Sequence, residues 1–148
     1  MQNIRAANEL KMVTVIKNLE KRGMRGHYCE TKEEARDLVL SMIPDHSIVS
    51  WGGSMTINAL GVKEKLAERD VTIIDPYSAP NPAEGIERRR QGLMADYYLM
   101  STNAITMSGE LLNIDGTSNR VAALCFGPKK VIVVAGANKL ALNLEDAL

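Results

Sequence analysis

Short apolar runs alternate with amphipathic stretches along almost the whole chain, and this alternation constrains the fold more than any other feature. The runs at 47–51, 71–75, 97–101 and 131–135 are dominated by β-branched, aliphatic and aromatic residues and are too short for buried helices. Helical patterns lie between them. The first, 4–22, places Met12, Ile16 and Leu19 at i, i+4 and i+7 with Val13 beside them, and Gly23 follows as a C-cap. A short strand is expected at 27–29. Thr31 and Glu34 form a capping box ahead of Ala35, Leu38, Val39 and Met42, and Pro44 ends that helix. The next helix runs to about Glu68 with a break at Gly61. Another starts from an Asn81 cap with Pro82 at its first position and ends before Tyr97. Residues 104–106 and 110–114 read as a hairpin across Ser108-Gly109. A short helix at 119–126 stops at Gly127-Pro128, and a last one begins at Leu142. Strands alternating with helices imply right-handed βαβ crossovers, hence an α/β fold with a mostly parallel sheet. At 148 residues, 1–148 reads as one domain.

Charge and cysteine content exclude several functions. Eighteen Lys and Arg balance eighteen Asp and Glu, so the chain exerts no general pull on nucleic acid or an anionic membrane, and neither is an expected partner. Any anion binding has to be local. The two cysteines, Cys29 and Cys125, lie far apart, with no CxxC and no His/Cys cluster. An iron–sulfur cluster typically needs about four thiolates, so none is expected here; no metal-ligand spacing is present, and with no cofactor motif identified none is expected to be bound by this chain. Two reduced thiols fit a cytoplasmic protein. No apolar signal core opens the sequence, and the apolar run at 131–135 is far too short to span a bilayer.

In sheets of this kind ligands bind outside the carboxyl ends of the strands. Two segments meet that requirement. In Trp51-Gly52-Gly53-Ser54-Met55-Thr56 a strand runs into glycines and a helix start; Gly52 and Gly53 let backbone approach a ligand, and Ser54 or Thr56 caps the helix or donates to the ligand. This is neither a Walker loop nor GxGxxG, and a tight turn with a serine cap is the plainer reading. The second segment holds Ser101, Thr102 and Asn103, then Glu110, then Asn113 through Arg120. Arg120 falls in the first turn of a helix, where the dipole disfavours a cation, so an anion is expected nearby. The alternative is that Asn103, Asn113, Asp115 and Asn119 are turn formers, as these residue types usually are. The expected ligand-binding set is Gly52, Gly53, Ser54, Thr56, Ser101, Thr102, Asn103, Gly116, Asn119 and Arg120, with Glu110 and Asp115 as the carboxylates for acid–base or nucleophilic work. Both segments are expected side by side at one sheet edge. Trp51 either walls the pocket or packs at a strand end, and Arg88-Arg89-Arg90 either faces an anionic ligand or partner or, the plainer reading, forms a solvated helix face.

These motifs, with Ala95 through Thr106, Asn113 through Ala123, Gly127-Pro128 and Gly136-Ala137-Asn138-Lys139, resemble the LUD domain of lactate-utilisation proteins, including lactate-utilisation protein C. The family pattern Asp-Gly-x-Gly-Asn-Arg is matched from Asp115 to Arg120 except that Ser118 replaces the second glycine. The resemblance implies a three-layer α/β/α sandwich like that of the sugar-phosphate isomerase and CoA-transferase superfamily. It also implies a part in bacterial lactate oxidation beside iron–sulfur partner subunits; the favoured reading is an accessory subunit whose helix starts and Arg120 bind a small anion, a carboxylate, a phosphate or a CoA-like group. Two alternatives stand beside it: an enzyme acting on a sugar phosphate or acyl-CoA, and a non-catalytic interaction module. In related sugar-1-phosphate isomerases an Asp acts near the position of Asn103, and an amide cannot serve as a general base. The resemblance further implies a cysteine-containing segment and a strand after the last helix; without that cover, self-association into a homo-oligomer is expected.

Overall fold

The apolar runs become strands because each finds a neighbour to pair with. In the computed structural model, which describes residues 2–148, the order is α1 (Gln2–Lys21), α2 (Lys32–Met42), β1 (Ile48–Trp51), α3 (Met55–Leu60), α4 (Val62–Ala67), β2 (Thr72–Ile74), α5 (Pro82–Gly92) and β3 (Tyr97–Met100). It continues through β4 (Ala104–Thr106), β5 (Leu111–Leu112), α6 (Asn119–Cys125), β6 (Lys130–Val133), β7 (Leu140–Ala141) and α7 (Leu144–Ala147). Contacts divide these elements between a larger unit, 31–101 with 114–135, and a smaller one made of residues up to 30, 102–113 and 136–148.

The larger unit is an α/β sandwich on a parallel sheet of order β2-β1-β3-β6. Val49 pairs with Ile73 and Tyr97, and Leu99 pairs with Trp51 and Ile132. The two-residue period then sorts side chains between faces. Val49, Trp51, Tyr97 and Leu99 join Val39, Ile43, Ile57, Leu60, Val62 and Leu66 from the α2–α4 layer. Tyr98, Met100, Val131 and Val133 point the other way and pack with Ala123 and Leu124 of α6. Ile43, Ile57, Leu66 and Leu99 are almost wholly buried, each contributing about 1.5–3 kcal/mol. Helix α5 packs on β1 and β2, and the approach depends on a missing side chain. A Cβ on Gly92 would lie 2.6 Å from Ser50 Oγ. Helix starts follow the sequence closely: Thr31, Ser54 and Asn81 each accept from the amide three residues on, at 3.1, 3.1 and 2.9 Å. Gly61, at φ +72°, breaks the expected long helix into α3 and α4.

The smaller unit contains α1 and a sheet of order β5-β4-β7. α1 ends in a Schellman closure, Gly23 N–H to Glu20 O and Met24 N–H to Leu19 O, both 3.0 Å. The expected hairpin forms, with Ala104 opposite Leu112 and Ile105 opposite Leu111, but it lies outside the parallel sheet. Gly109, at φ +85°, makes its turn, and a Cβ there would stand 2.9 Å from the backbone of Asn18. One expectation is corrected, and one strand was not expected. Residues 27–29 are irregular, because no strand pairs with them. β7, which pairs in parallel with β4, is only two residues long, too short to leave a periodic signal. Among the described residues no helix is long and apolar enough to cross a membrane.

Gly92→Ala should therefore destabilise the chain by about 1–3 kcal/mol through overpacking. Adding Ser50→Ala should recover part of the loss, as read by urea unfolding.

Candidate functional site

The site begins where the sheet changes direction. From β1 the chain moves to β2 on one side, while β3 leads to β6 on the other, so the order reverses between β1 and β3. Such a switch point opens a crevice at the carboxyl ends of the two strands, where ligands bind in open α/β sheets. Gly52 prolongs β1, its N–H donating to Leu99 O at 3.0 Å. A Cβ on Gly52 would sit 2.5 Å from Arg120 Cγ and 3.3 Å from the Tyr98 hydroxyl. The first glycine segment and the Asp115–Arg120 turn thus meet at this edge. The turn reaches it by an indirect route: the chain leaves the larger unit after Ser101 and returns at Ile114, so that α6 is the crossover helix between β3 and β6.

Asp115 and Arg120 lock that return. Arg120 Nε donates to Asp115 Oδ1 at 2.6 Å, NH1 to Ser101 O at 3.3 Å and NH2 to Ile114 O at 3.0 Å. The second carboxylate oxygen of Asp115 accepts Val121 N–H at 2.8 Å. It takes the place of an N-cap, since Ser118 makes no side-chain cap and stands at φ +61°. The two side chains are only 6% and 14% exposed, so the pair is largely buried. Asn119 Nδ2 donates to the Tyr98 hydroxyl at 3.4 Å, and Thr117 donates to Asn119 Oδ1 at 2.7 Å. Burial, reinforced by Tyr77 and Asp115, pushes the Tyr98 hydroxyl up to about 12, against the opposing pull of Asn119 and Arg120. It remains a neutral hydroxyl at this edge.

The β1–β2 side carries aromatic and charged groups. A Cβ on Gly53 would lie 2.9 Å from the Tyr77 hydroxyl. Asp75, just past β2, accepts from the Trp51 indole at 3.0 Å and from Tyr77 N–H at 2.9 Å. Trp51 is therefore a packed strand end, 3% exposed. Lys63 Nζ lies 4.8 Å from the Trp51 ring centroid, and burial holds its pKa below the usual lysine value although Asp75 and Glu64 oppose this. A groove of about 410 Å³ opens along Trp51, Lys63, Asp75 and Arg88.

The other expected residues have local work to do. Ser54 caps α3, Thr56 is half-buried in its first turn, and Gly116 is exposed with nothing within 4 Å of a Cβ. Helices α3 and α6 are six and seven residues long, so few aligned peptide dipoles stand behind either N-terminus. Thr102, Asn103 and Glu110 belong to the smaller unit. There the Thr102 hydroxyl donates to Leu112 O at 2.9 Å and Asn103 N–H to the same oxygen at 3.0 Å. The Glu110 carboxylate accepts from the Thr106 and Ser108 hydroxyls and pairs with Arg22 at 2.9 Å. The hydroxyl contacts, Thr106 first, hold its pKa below the usual carboxylate range, a poor match for proton transfer near neutral pH. Sequence reasoning missed Tyr77, Tyr98, Asp75 and Lys63. The signal for Asp75 was present, a carboxylate at a strand's carboxyl end. Tyr98 becomes significant only once the register puts it on the α6 face. Among the described residues no group of three or more His, Cys, Asp or Glu could hold a metal ion.

A parallel sheet with a switch point between β1 and β3, and a carboxylate–guanidinium pair holding the crossover beside it, defines an α/β domain of the open-sheet class. The family model of the LUD domain matches residues 12–148, and the chain belongs to that family, one of the lactate-utilisation type. None of the curated proteins compared with it matches.

Two outcomes follow from the lock. Asp115→Ala and Arg120→Ala should each destabilise by about 3–5 kcal/mol, because each leaves a buried charge alone. The double variant should lose less than the sum, measured by a urea double-mutant cycle. Ser118→Gly removes a left-handed non-glycine residue and should stabilise by about 0.5–1 kcal/mol in the same assay.

Proposed function

We propose that this chain is a cytoplasmic, ligand-binding accessory subunit in bacterial lactate oxidation, acting over 1–148 as one LUD domain beside iron–sulfur partner subunits. Its ligand is a small anion, a carboxylate, phosphate or CoA-like group, taken up at the crevice between the carboxyl ends of β1 and β3. The observation that carries this reading is the meeting of Gly52 with Arg120 and Tyr98: two segments distant in sequence converge at the switch point, and the glycine is required there by space. Gly52 and Gly53 offer backbone, and Ser101, Asn119 and Tyr98 line the same edge. Binding is favoured over catalysis because both carboxylates proposed for chemistry are engaged, Asp115 with Arg120 and Val121, Glu110 with Thr106, Ser108 and Arg22.

Thermal-shift titration with L-lactate, inorganic phosphate and CoA tests the reading. At least one should raise Tm by about 5 °C or more at roughly 100 times its Kd. Gly53→Ala, which presses on the Tyr77 hydroxyl, should blunt that response. No shift with any of the three at millimolar concentration would overturn the proposal.

A further inference from the structure

The three consecutive arginines of α5 have three different environments. Arg88 is tied to Glu84 Oε1 at 3.0 Å, to Asp75 O at 3.1 Å and to Ser78 Oγ at 3.2 Å. Arg90 is exposed and pairs with Glu87 at 3.6 Å. Arg89 lies four residues after Gly85 and three before Gly92, the two buried residues of the helix. That spacing puts all three on the face turned towards the sheet. The two glycines let Pro76 and Ser50 approach the helix closely on either side of this large cationic side chain. Arg89 Cζ stands 5.6 Å from the centroid of the Tyr77 ring, whose hydroxyl is the group that a Cβ on Gly53 would strike. The ring therefore links Arg89 to the glycine turn after β1. Among the described residues Arg89 has no carboxylate partner, and its Nε is buried without a hydrogen-bond partner.

A buried donor without an acceptor costs free energy, and a guanidinium held on an inward helix face needs an anion. The ring face satisfies the charge in part but accepts none of the in-plane N–H groups. We infer that Arg89 is the residue that recognises the anionic group of the ligand, with a carboxylate or phosphate oxygen completing its hydrogen bonds beside Tyr77. The inference rests on the proposed crevice and names the cation that serves it. Arg120 carries the positive charge written into the family motif, yet it is committed to Asp115 and two backbone carbonyls. Arg89 has the planar fork suited to an oxyanion and no competing carboxylate.

Isothermal titration of the full chain with L-lactate and, separately, with inorganic phosphate tests this on wild type, Arg89→Gln, Arg89→Lys and Arg90→Gln. Circular dichroism and Tm establish that each variant is folded. Whichever probe the wild type binds should bind Arg89→Gln about tenfold or more weakly, the usual size for a lost hydrogen bond to a charged group. Arg90→Gln should bind as wild type does. Arg89→Lys keeps the charge but loses the fork, so it should be weakened several-fold, and it carries the test if Arg89→Gln does not fold. A wild type that binds neither probe overturns this inference, whereas the crevice reading falls only if CoA fails to bind as well. Wild-type affinity in the folded Arg89 variants, or an equal loss in Arg90→Gln, overturns the assignment of Arg89 alone.

Discussion

The buried pair of Asp115 and Arg120 governs how this chain can close its sheet. Between β3 and the crossover helix α6 the backbone departs at Ser101 and returns at Ile114, and the Arg120 guanidinium donates to the carbonyls of both residues. One side chain therefore clamps the two ends of the excursion. Asp115 orients that guanidinium and at the same time satisfies the amide of Val121, which opens α6. Neither charge could be buried without the other. With the clamp closed, α6 starts over the end of β3, and β6 can pair alongside β3.

Close approach without side chains is the second theme. Gly52 admits the stem of Arg120, Gly53 admits the Tyr77 hydroxyl, and Gly92 lets α5 settle on Ser50. Each glycine lies where backbone from one element meets a side chain from another. The electrostatics follow from that packing. Arg120 is neutralised by Asp115, so it adds little field at the edge between β1 and β3. Burial keeps Tyr98 protonated and holds Lys63 below its usual pKa.

Local signals were read well where local physics decides. Thr31, Ser54 and Asn81 cap the helices they were expected to start, because an N-cap is satisfied by an amide three residues away. Gly61 breaks a helix, and the four apolar runs pair as parallel strands. Signals that depend on partners were not legible. Residues 27–29 have a strand-like composition and nothing to pair with, whereas Leu140–Ala141 has almost no pattern and pairs with β4. The run of three arginines looked uniform in sequence and is divided by helix geometry into one tied, one inward and one exposed side chain.

What the sequence determined by itself is the α/β alternation, the positions of the caps and turns, and the two glycine- and asparagine-rich segments that belong at strand ends. These depend on residues within about four positions of one another, or on a two-residue burial period. Only the tertiary structure decided what the segments do there. It turned Asp115 and Arg120 from apparent ligand groups into the lock of the crossover, took the hairpin out of the parallel sheet, and left Arg89 as a cation facing inward beside Tyr77. The reason is that a charged side chain's role is set by which opposite charge or carbonyl lies within hydrogen-bond reach, and those partners come together only through strand order and register.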